Sequence, residues 1–375
     1  MAISLFVVGD FVPKGIRPEV LQSKSERIFH PIMPYINEAD FSIANLEAPV
    51  ATNKLTPIKK SGPCLNTWPS SIEVLKKIGF NVLTLANNHF YDQGQSGVNN
   101  TIDICNKLNI LTVGGGKNVT EARKPLFLGH NNERVAIINA CEHEFSIAEN
   151  DHGGSNALDL INIQEDIARV RKDNDYIVLI LHGGIEQYQY PTPRMKRWYR
   201  HFIDLGADVI VNHHQHCMNG FEVYKGKLIF YGLGNFFFPQ LTGVKKSETW
   251  GYGYAVKLIF NSGVGYQLIP YHQDYDGITI RDVQTFNNEI ELLNLPIKDD
   301  YLLQQKFDEY IIDIERKLKT QLLPSFLQGR LISKMARLGF LGNLYKGAQI
   351  YALKNKFTCE SHYETIRSLF NILVK

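Results

Sequence analysis

Three imidazoles stand within four residues in "VIVNHHQHCMNG", Val209 to Gly220: His213, His214 and His216. They directly follow an apolar, β-branched run. Histidines so placed serve as metal ligands, as acid–base catalysts, or only as the polar end of a strand. Related chemistry recurs at the ends of other apolar runs. "VVGD" finishes in Asp10, and "ANLE" supplies Asn45 and Glu47. "LANNH" supplies Asn87, Asn88 and His89, and "LHGG" supplies His182. Five of seven runs that read as strands finish in a carboxylate, an amide or an imidazole.

Each fragment alone has a plain reading. Gly-Asp after a strand makes a turn or a helix N-cap, "NNH" an Asx turn, and "HGG" a histidine beside a flexible turn. Independent turns would not repeat metal-ligand residue types at strand after strand. In open α/β sheets the ligand crevice lies outside the carboxyl ends of the strands, so residues distant in sequence converge there. A set of Asp, Glu, Asn and His without Cys suits Mn, Fe, Zn or Mg rather than a thiolate site. On an extended chain His214 and His216 point to one side and His213 to the other. A bridging carboxylate with ligands for two ions would give a two-metal arrangement suited to phosphoryl transfer.

The elements that must position these residues alternate. Short apolar runs read as strands: "ISLFVVGD", "FSIANLE", "VLTLANNH", "ERVAIINA", "YIVLILHGG", "DVIVNHHQH" and "KLIFYGLGNFFF". Helical patterns lie between several of them: "SSIEVLKKIG", "GVNNTIDICNKLN", "NIQEDIARVRKDN" and "RMKRWYRHFIDLG". This alternation indicates an α/β domain. "YAVKLIFNSGVGYQLIPYH" reads as a hairpin turning at "NSG". "TVGGGKN" lacks the spacing of a phosphate-binding loop and reads as a tight turn before a helix. Glu142, His143 and Glu144 also follow a strand, and read either as crevice lining or as a solvated loop.

The 375 residues carry 40 Lys+Arg against 38 Asp+Glu, a balance that argues against nucleic acid as a partner. Five scattered cysteines, never spaced as CxxC, argue against a disulfide scaffold and a thiolate zinc site. The first residues lack a basic n-region and a cleavage site, so a buried first strand and a cytoplasmic location are expected. No apolar run approaches the roughly 18 residues of a membrane span. From about position 286 the chain turns helical and polar. Arg316 to Cys359 holds nine basic residues and no acidic one. We therefore expect a domain over 1–285 and a basic helical extension over 286–375. That extension would suit contact with a synthase or with the anionic inner face of a membrane.

The order GD…NLE…NNH…HGG…HHxH…GLGNF resembles that of CapA-type poly-γ-glutamate and capsule biosynthesis proteins, relatives of the calcineurin-like metallophosphoesterases. The resemblance spans roughly residues 1–272. It implies a four-layer α/β/β/α sandwich with one or two divalent ions, Mn, Fe or Zn foremost. Carried over by position, Asp10 and His216 would serve one ion, and Asn88, His182 and His214 the other, with Glu47 bridging. His89 would be the general acid or the phosphate-orienting imidazole, with Asn87 beside it as a second catalytic candidate. The chain departs from the pattern at Val12, where metallophosphoesterases usually carry a histidine. It departs again at Asn212 and Gln215, where Gly and Pro are usual, and in "HGG", where "HWG" is common.

The expected function is therefore that of a metal-dependent, phosphoesterase-like hydrolase in capsule, exopolysaccharide or poly-γ-glutamate biosynthesis. Its substrate would be a capsule or polymer precursor. A non-catalytic assembly factor of a polymer synthase is the alternative from another class. Amide hydrolysis or transfer on a γ-glutamyl polymer is a third reading, which no Ser or Cys nucleophile dyad and no ATP site in the sequence supports.

Overall fold

The computed structural model describes residues 2–52, 55–60, 62–130, 133–239, 248–321 and 334–335, with backbone alone for 314–321. The basic stretch Arg316 to Cys359 thus lies outside the residues whose side chains are described, apart from Lys334 and Met335. The chain forms two compact units, Met1–Gln305 and Lys306–Lys375.

In chain order the first half comprises β1 (Ile3–Phe11), α1 (Pro18–Phe29), α2 (Met33–Glu38), β2 (Phe41–Leu46), α3 (Pro69–Lys77), β3 (Val82–Thr84), α4 (Gly94–Lys107), β4 (Leu111–Val113), β5 (Gly115–Gly116), α5 (Val119–Ala122), β6 (Leu126–His130) and β7 (Glu133–Cys141). There follow β8 (Gly154–Ser155), α6 (Leu160–Val170), β9 (Tyr176–His182), α7 (Pro193–Asp204), β10 (Val209–His213), β11 (Phe221–Tyr224), β12 (Lys227–Phe230) and β13 (Asn235–Phe237). The antiparallel strands β14 (Tyr252–Phe260), β15 (Val264–Gln273) and β16 (Ile278–Ile280) lead to α8 (Val283–Lys298) and α9 (Asp300–Gln321). Local chemistry sets several starts. Asp159, Thr192 and Asp282 cap α6, α7 and α8 by accepting a backbone N–H, and Pro18, Pro69 and Pro193 occupy first turns.

Two large sheets result. One runs β16-β15-β14-β1-β2-β3-β4, with β13 also on β1; the other runs β11-β12-β10-β9-β7-β6. Strand alternation divides the cores. Ile3, Leu5 and Val7 of β1 face Val178 and Ile180 of β9 and Val209 and Val211 of β10 in one cluster between the sheets. The intervening Phe6 and Val8 join Leu21, Ile36, Ile72 and Val98 from α1, α2, α3 and α4. Ile177, Leu179 and Leu181 of β9 join Ile163 and Ile167 of α6 and Tyr199 and Phe202 of α7. The layers are thus α/β/β/α. Both faces of the central strands are covered, which is why they read as continuous apolar runs.

One expected strand divides. "KLIFYGLGNFFF" becomes β12 in one sheet and β13 in the other. Between them Gly234 adopts φ +77°, a left-handed conformation that a side chain disfavours, and the chain crosses between sheets there. The hairpin turns at Asn261–Gly263 between β14 and β15. Helix α8 sends Phe286, Ile290 and Leu293 into the core between the sheets and belongs to the first unit. In the second unit Lys306 pairs with Glu309 at 2.8 Å along α9. Cys64, Cys105, Cys141 and Cys217 are free thiols. No helix among the described residues is long and apolar enough to cross a membrane.

Candidate metal centre

The strand ends converge. Asp10, near the end of β1, pairs in register with Asn45 of β2, and Glu47 directly follows β2. His182 ends β9 and pairs in register with His213, which ends β10. The loop after β3 carries Asn87, Asn88 and His89. Asn139 of β7 anchors that loop: its Oδ1 accepts from Ala86 N at 2.8 Å, and its Nδ2 donates to Ile180 O at 2.8 Å. One amide therefore ties both sheets together behind the cluster.

The path of the last histidines differs from the extended chain expected. Strand β10 stops at His213, and His214 and His216 adopt φ of +95° and +55°. Left-handed backbone at a non-glycine residue costs about 1–3 kcal/mol and persists only when its surroundings impose it. Here Asn212 imposes it. Its Nδ2, with two hydrogens to share, lies 3.0 Å from Gly183 O and Tyr231 O and 2.8 Å from His213 O. Gln215 adds a bond from its Nε2 to Tyr231 O at 2.8 Å. These two amides thus hold the loop. A left-handed turn, not strand alternation, brings His214 and His216 into one cluster.

Two buried groups of ligand-type atoms form at these strand ends, each within 4.8 Å: Asp10, Glu47 and His216, and Glu47, His182 and His214. Glu47 is common to both. Its Oε1 lies 3.6 Å from His182 Nε2 and 3.6 Å from His216 Nε2. His182 Nε2 also lies 3.0 Å from Asn88 Oδ1 and 3.1 Å from His214 Nδ1, so Asn88 joins the second group. His216 Nδ1 lies 3.3 Å from Asp10 Oδ2. His213 stands aside, with Nδ1 3.6 Å from Asp10 Oδ1.

Electrostatics follow from burial. Both Glu47 carboxylate oxygens are buried and accept no hydrogen bond. Burial pushes the Glu47 carboxyl well above its ordinary range, against the opposing pull of His216. For Asp10, burial would also raise the value, but the His216 hydrogen bond and the His213 charge outweigh it and hold the group low. Burial opposes charge on His216 as well, yet Glu47 and Asp10 push it up to about 9. Burial, then His214, holds His182 well below the usual imidazole value, so one ring nitrogen keeps its lone pair for a cation. A buried carboxylate without donors, ringed by imidazole nitrogens, fits divalent cations. The donor set of His, Asp, Glu and Asn matches that chemistry.

His89 and Asn87 lie beside the groups. His89 Nδ1 meets Asp92 Oδ2 at 2.5 Å, and burial holds this imidazole below its ordinary value while Asp92 opposes the shift. Asn87 is a brace for the loop. Its Nδ2 donates to Leu46 O at 2.9 Å and its Oδ1 accepts from His89 N at 3.1 Å, so its amide is spent on protein groups. Val12 packs with Ala48, Leu65, Phe238 and Trp250 in an apolar cluster. Glu144 reaches the site edge, with Oε1 3.7 Å from His214 Nε2, while Glu142 pairs with Arg194.

Two participants were invisible in the sequence reading. Lys60 pairs with Asp92, and both side chains are buried. The His-x-x-Asp spacing in "HFYD" was a signal for Asp92; Lys60 lies in a polar segment with no pattern of its own. Asn45 was only a strand-end amide in that reading. In the structure its Nδ2 lies 2.7 Å from Asp10 Oδ1 and 3.3 Å from His182 Nδ1, joining the two sheets at the centre.

Comparison with known proteins gives the context. The "Capsule biosynthesis protein CapA" of Bacillus anthracis is 29% identical over 295 residues, covering 76% of this chain and 67% of that protein. The "PGA biosynthesis protein CapA" of Bacillus subtilis (strain 168) is 32% identical over 243 residues, covering 64% of each. The chain spans about two thirds of the length of these relatives. Among solved structures, the calcineurin-like phosphoesterase YfkN from Bacillus subtilis superposes with a TM-score of 0.38 at 12% identity, over 81% of this chain and 98% of that one. Residues 4–240 match the model of the family described as "Bacterial capsule synthesis protein PGA_cap". With that match over most of its length, on the segment that carries Asp10, Glu47, His182, His214 and His216, the chain belongs to the bacterial capsule synthesis protein family PGA_cap.

Proposed function

We propose that this chain is a metal-dependent, phosphoesterase-like hydrolase acting on a capsule or poly-γ-glutamate precursor. The observation that carries the reading is Glu47: a buried carboxylate with no hydrogen-bond partner, shared by two ligand groups. Asp10, Glu47 and His216 would hold one divalent ion, and Glu47, His182, His214 and Asn88 the other. Mn, Fe and Zn suit this donor set best. When bound, such ions supply Lewis acidity toward a phosphoryl oxygen and activate water. His89 would serve the leaving group. Its Nδ1 is engaged by Asp92, so Nε2 is the atom that gives or takes a proton, and an anionic substrate beside it favours the imidazolium.

Metal analysis of the purified chain, with a phosphodiester assay on wild type and His214→Ala, tests the reading. Bound transition metal and activity lost in the variant are expected. Absence of bound metal, or equal activity in both proteins, overturns it.

Val12 favours a second reading, that of a non-catalytic accessory factor of a polymer synthase. Residue 12 offers an apolar contact in place of a ligand, which leaves the first group with three protein ligands among the described residues. In either reading the chain would work at the cytoplasmic face of the membrane, and the basic segment from Arg316 would make the contact. Removal of 316–375 should then abolish co-purification with membranes; persistence of that association sinks the role of the tail. Incubation with a γ-linked glutamate polymer and a size measurement separates amide chemistry from phosphoester chemistry.

A further inference from the structure

The segment between β2 and α3 clamps the loop that carries Asn88 and His89. Ile58 N donates to Asp92 O at 3.0 Å, and Thr56 N donates to Gln93 Oε1 at 3.0 Å. Gln93 Nε2 donates to Leu65 O at 3.1 Å, and Leu65 N donates to Asp92 Oδ2 at 2.6 Å. Lys60 lies on this segment. Its side chain is 2% exposed, and its ammonium pairs with Asp92 Oδ1. Phe145 covers it, with Nζ 5.5 Å from the ring centroid.

A buried lysine is rare without a reason, because desolvating an unpaired charge is costly. Here three donors converge on one carboxylate. Lys60 Nζ also lies 3.2 Å from His89 Nδ1, where it could only donate; the shorter contact, 2.5 Å to Asp92 Oδ2, takes that nitrogen as a donor instead. A 2.5 Å contact between His89 Nδ1 and Asp92 Oδ2 requires a proton between them, since a lone pair there would face a carboxylate oxygen. Leu65 N and His89 Nδ1 share Oδ2, and Lys60 takes Oδ1. Without the ammonium, Oδ1 would be a buried charge with no counterion, and only the contacts at Oδ2 would hold the carboxylate.

We propose that Lys60 is a positioning residue: by holding Asp92 through Oδ1, it fixes the His89 imidazole in the Nδ1–H tautomer and leaves Nε2 for the substrate. Its catalytic value rests on the hydrolase reading above; the tautomer does not. An aspartate that orients a catalytic imidazole acts in this way elsewhere. Here the aspartate needs an orienter in turn, because it is buried beside a neutral ring.

The test is ¹⁵N NMR of histidine side chains in full-length, metal-loaded protein. The His89 signals are assigned by their absence in His89→Gln. Wild type and Lys60→Arg should show one Nδ1–H tautomer for His89, and Lys60→Met an averaged pair. In Lys60→Met, kcat should fall roughly 10–100-fold, as for other supporting residues, with KM and metal content unchanged. A fixed Nδ1–H tautomer in folded Lys60→Met overturns the proposal. If Lys60→Met does not fold, Lys60→Gln carries the same comparison. A chain that folds only with a cation at position 60 makes Lys60 structural, which also overturns it. An inactive wild type sinks the hydrolase reading, while the tautomers still decide the role of Lys60.

Discussion

Glu47 and His182 meet across the two sheets, with Oε1 3.6 Å from Nε2. One residue follows β2 of the first sheet, and the other ends β9 of the second. The centre therefore exists only when both sheets are assembled, and cations held there would tie them together. Removal of metal by a chelator should lower the melting temperature. A ligand at 100 times its Kd stabilises by about 2.7 kcal/mol. Glu47→Gln should bind less metal and lose this rise, measured by calorimetry with and without chelator. An equal rise in the variant would refute the bridging role.

Asn212 imposes the left-handed turn at His214. Asn212→Ala leaves Gly183 O and the buried Tyr199 hydroxyl without that amide, at about 1–3 kcal/mol for each lost partner. Denaturant unfolding should show this loss, and isothermal titration should show weaker metal binding. Unaltered metal affinity would mean that the loop keeps its path without the amide.

Gly9 precedes Asp10 where β1 and β13 pass closely. A Cβ at position 9 would lie 1.8 Å from Gly234 O, so the backbone itself must move. Gly9→Ala should destabilise by at least the cost of an ordinary overpacked core, about 1–3 kcal/mol. Soluble yield and denaturation midpoint check this. Wild-type stability would show that the two strands separate more easily than their packing indicates.

Trp250 reports on His216. The rings lie 4.9 Å apart between centroids, and the other tryptophans are Trp68 and Trp198. In a Trp68→Phe/Trp198→Phe background, divalent-ion titration should change Trp250 fluorescence to saturation. His216→Ala should abolish the change. A flat titration in a protein that binds metal would place the ions away from His216.

Much of this arrangement was legible in the chain. Asp10, Glu47, His182 and the histidine run all stand at the ends of apolar runs, because parallel strands buried on both faces put their carboxyl ends in one crevice. Other features depend on distant partners. The division of "KLIFYGLGNFFF" needed Gly234 to pass across β1, and the path of His214 needed Tyr231 and Gly183 as acceptors for Asn212.

What the sequence by itself determined is the set of ligand types and the strands that end in them, since both follow from residue identity and period. The tertiary structure decided which of those residues share an ion site. It left Glu47 without donors, turned His214 and His216 inward, surrounded Val12 with apolar side chains, and buried Lys60 against Asp92. Each of these is a contact between segments far apart in the chain, and burial and electrostatic coupling arise only where such segments meet.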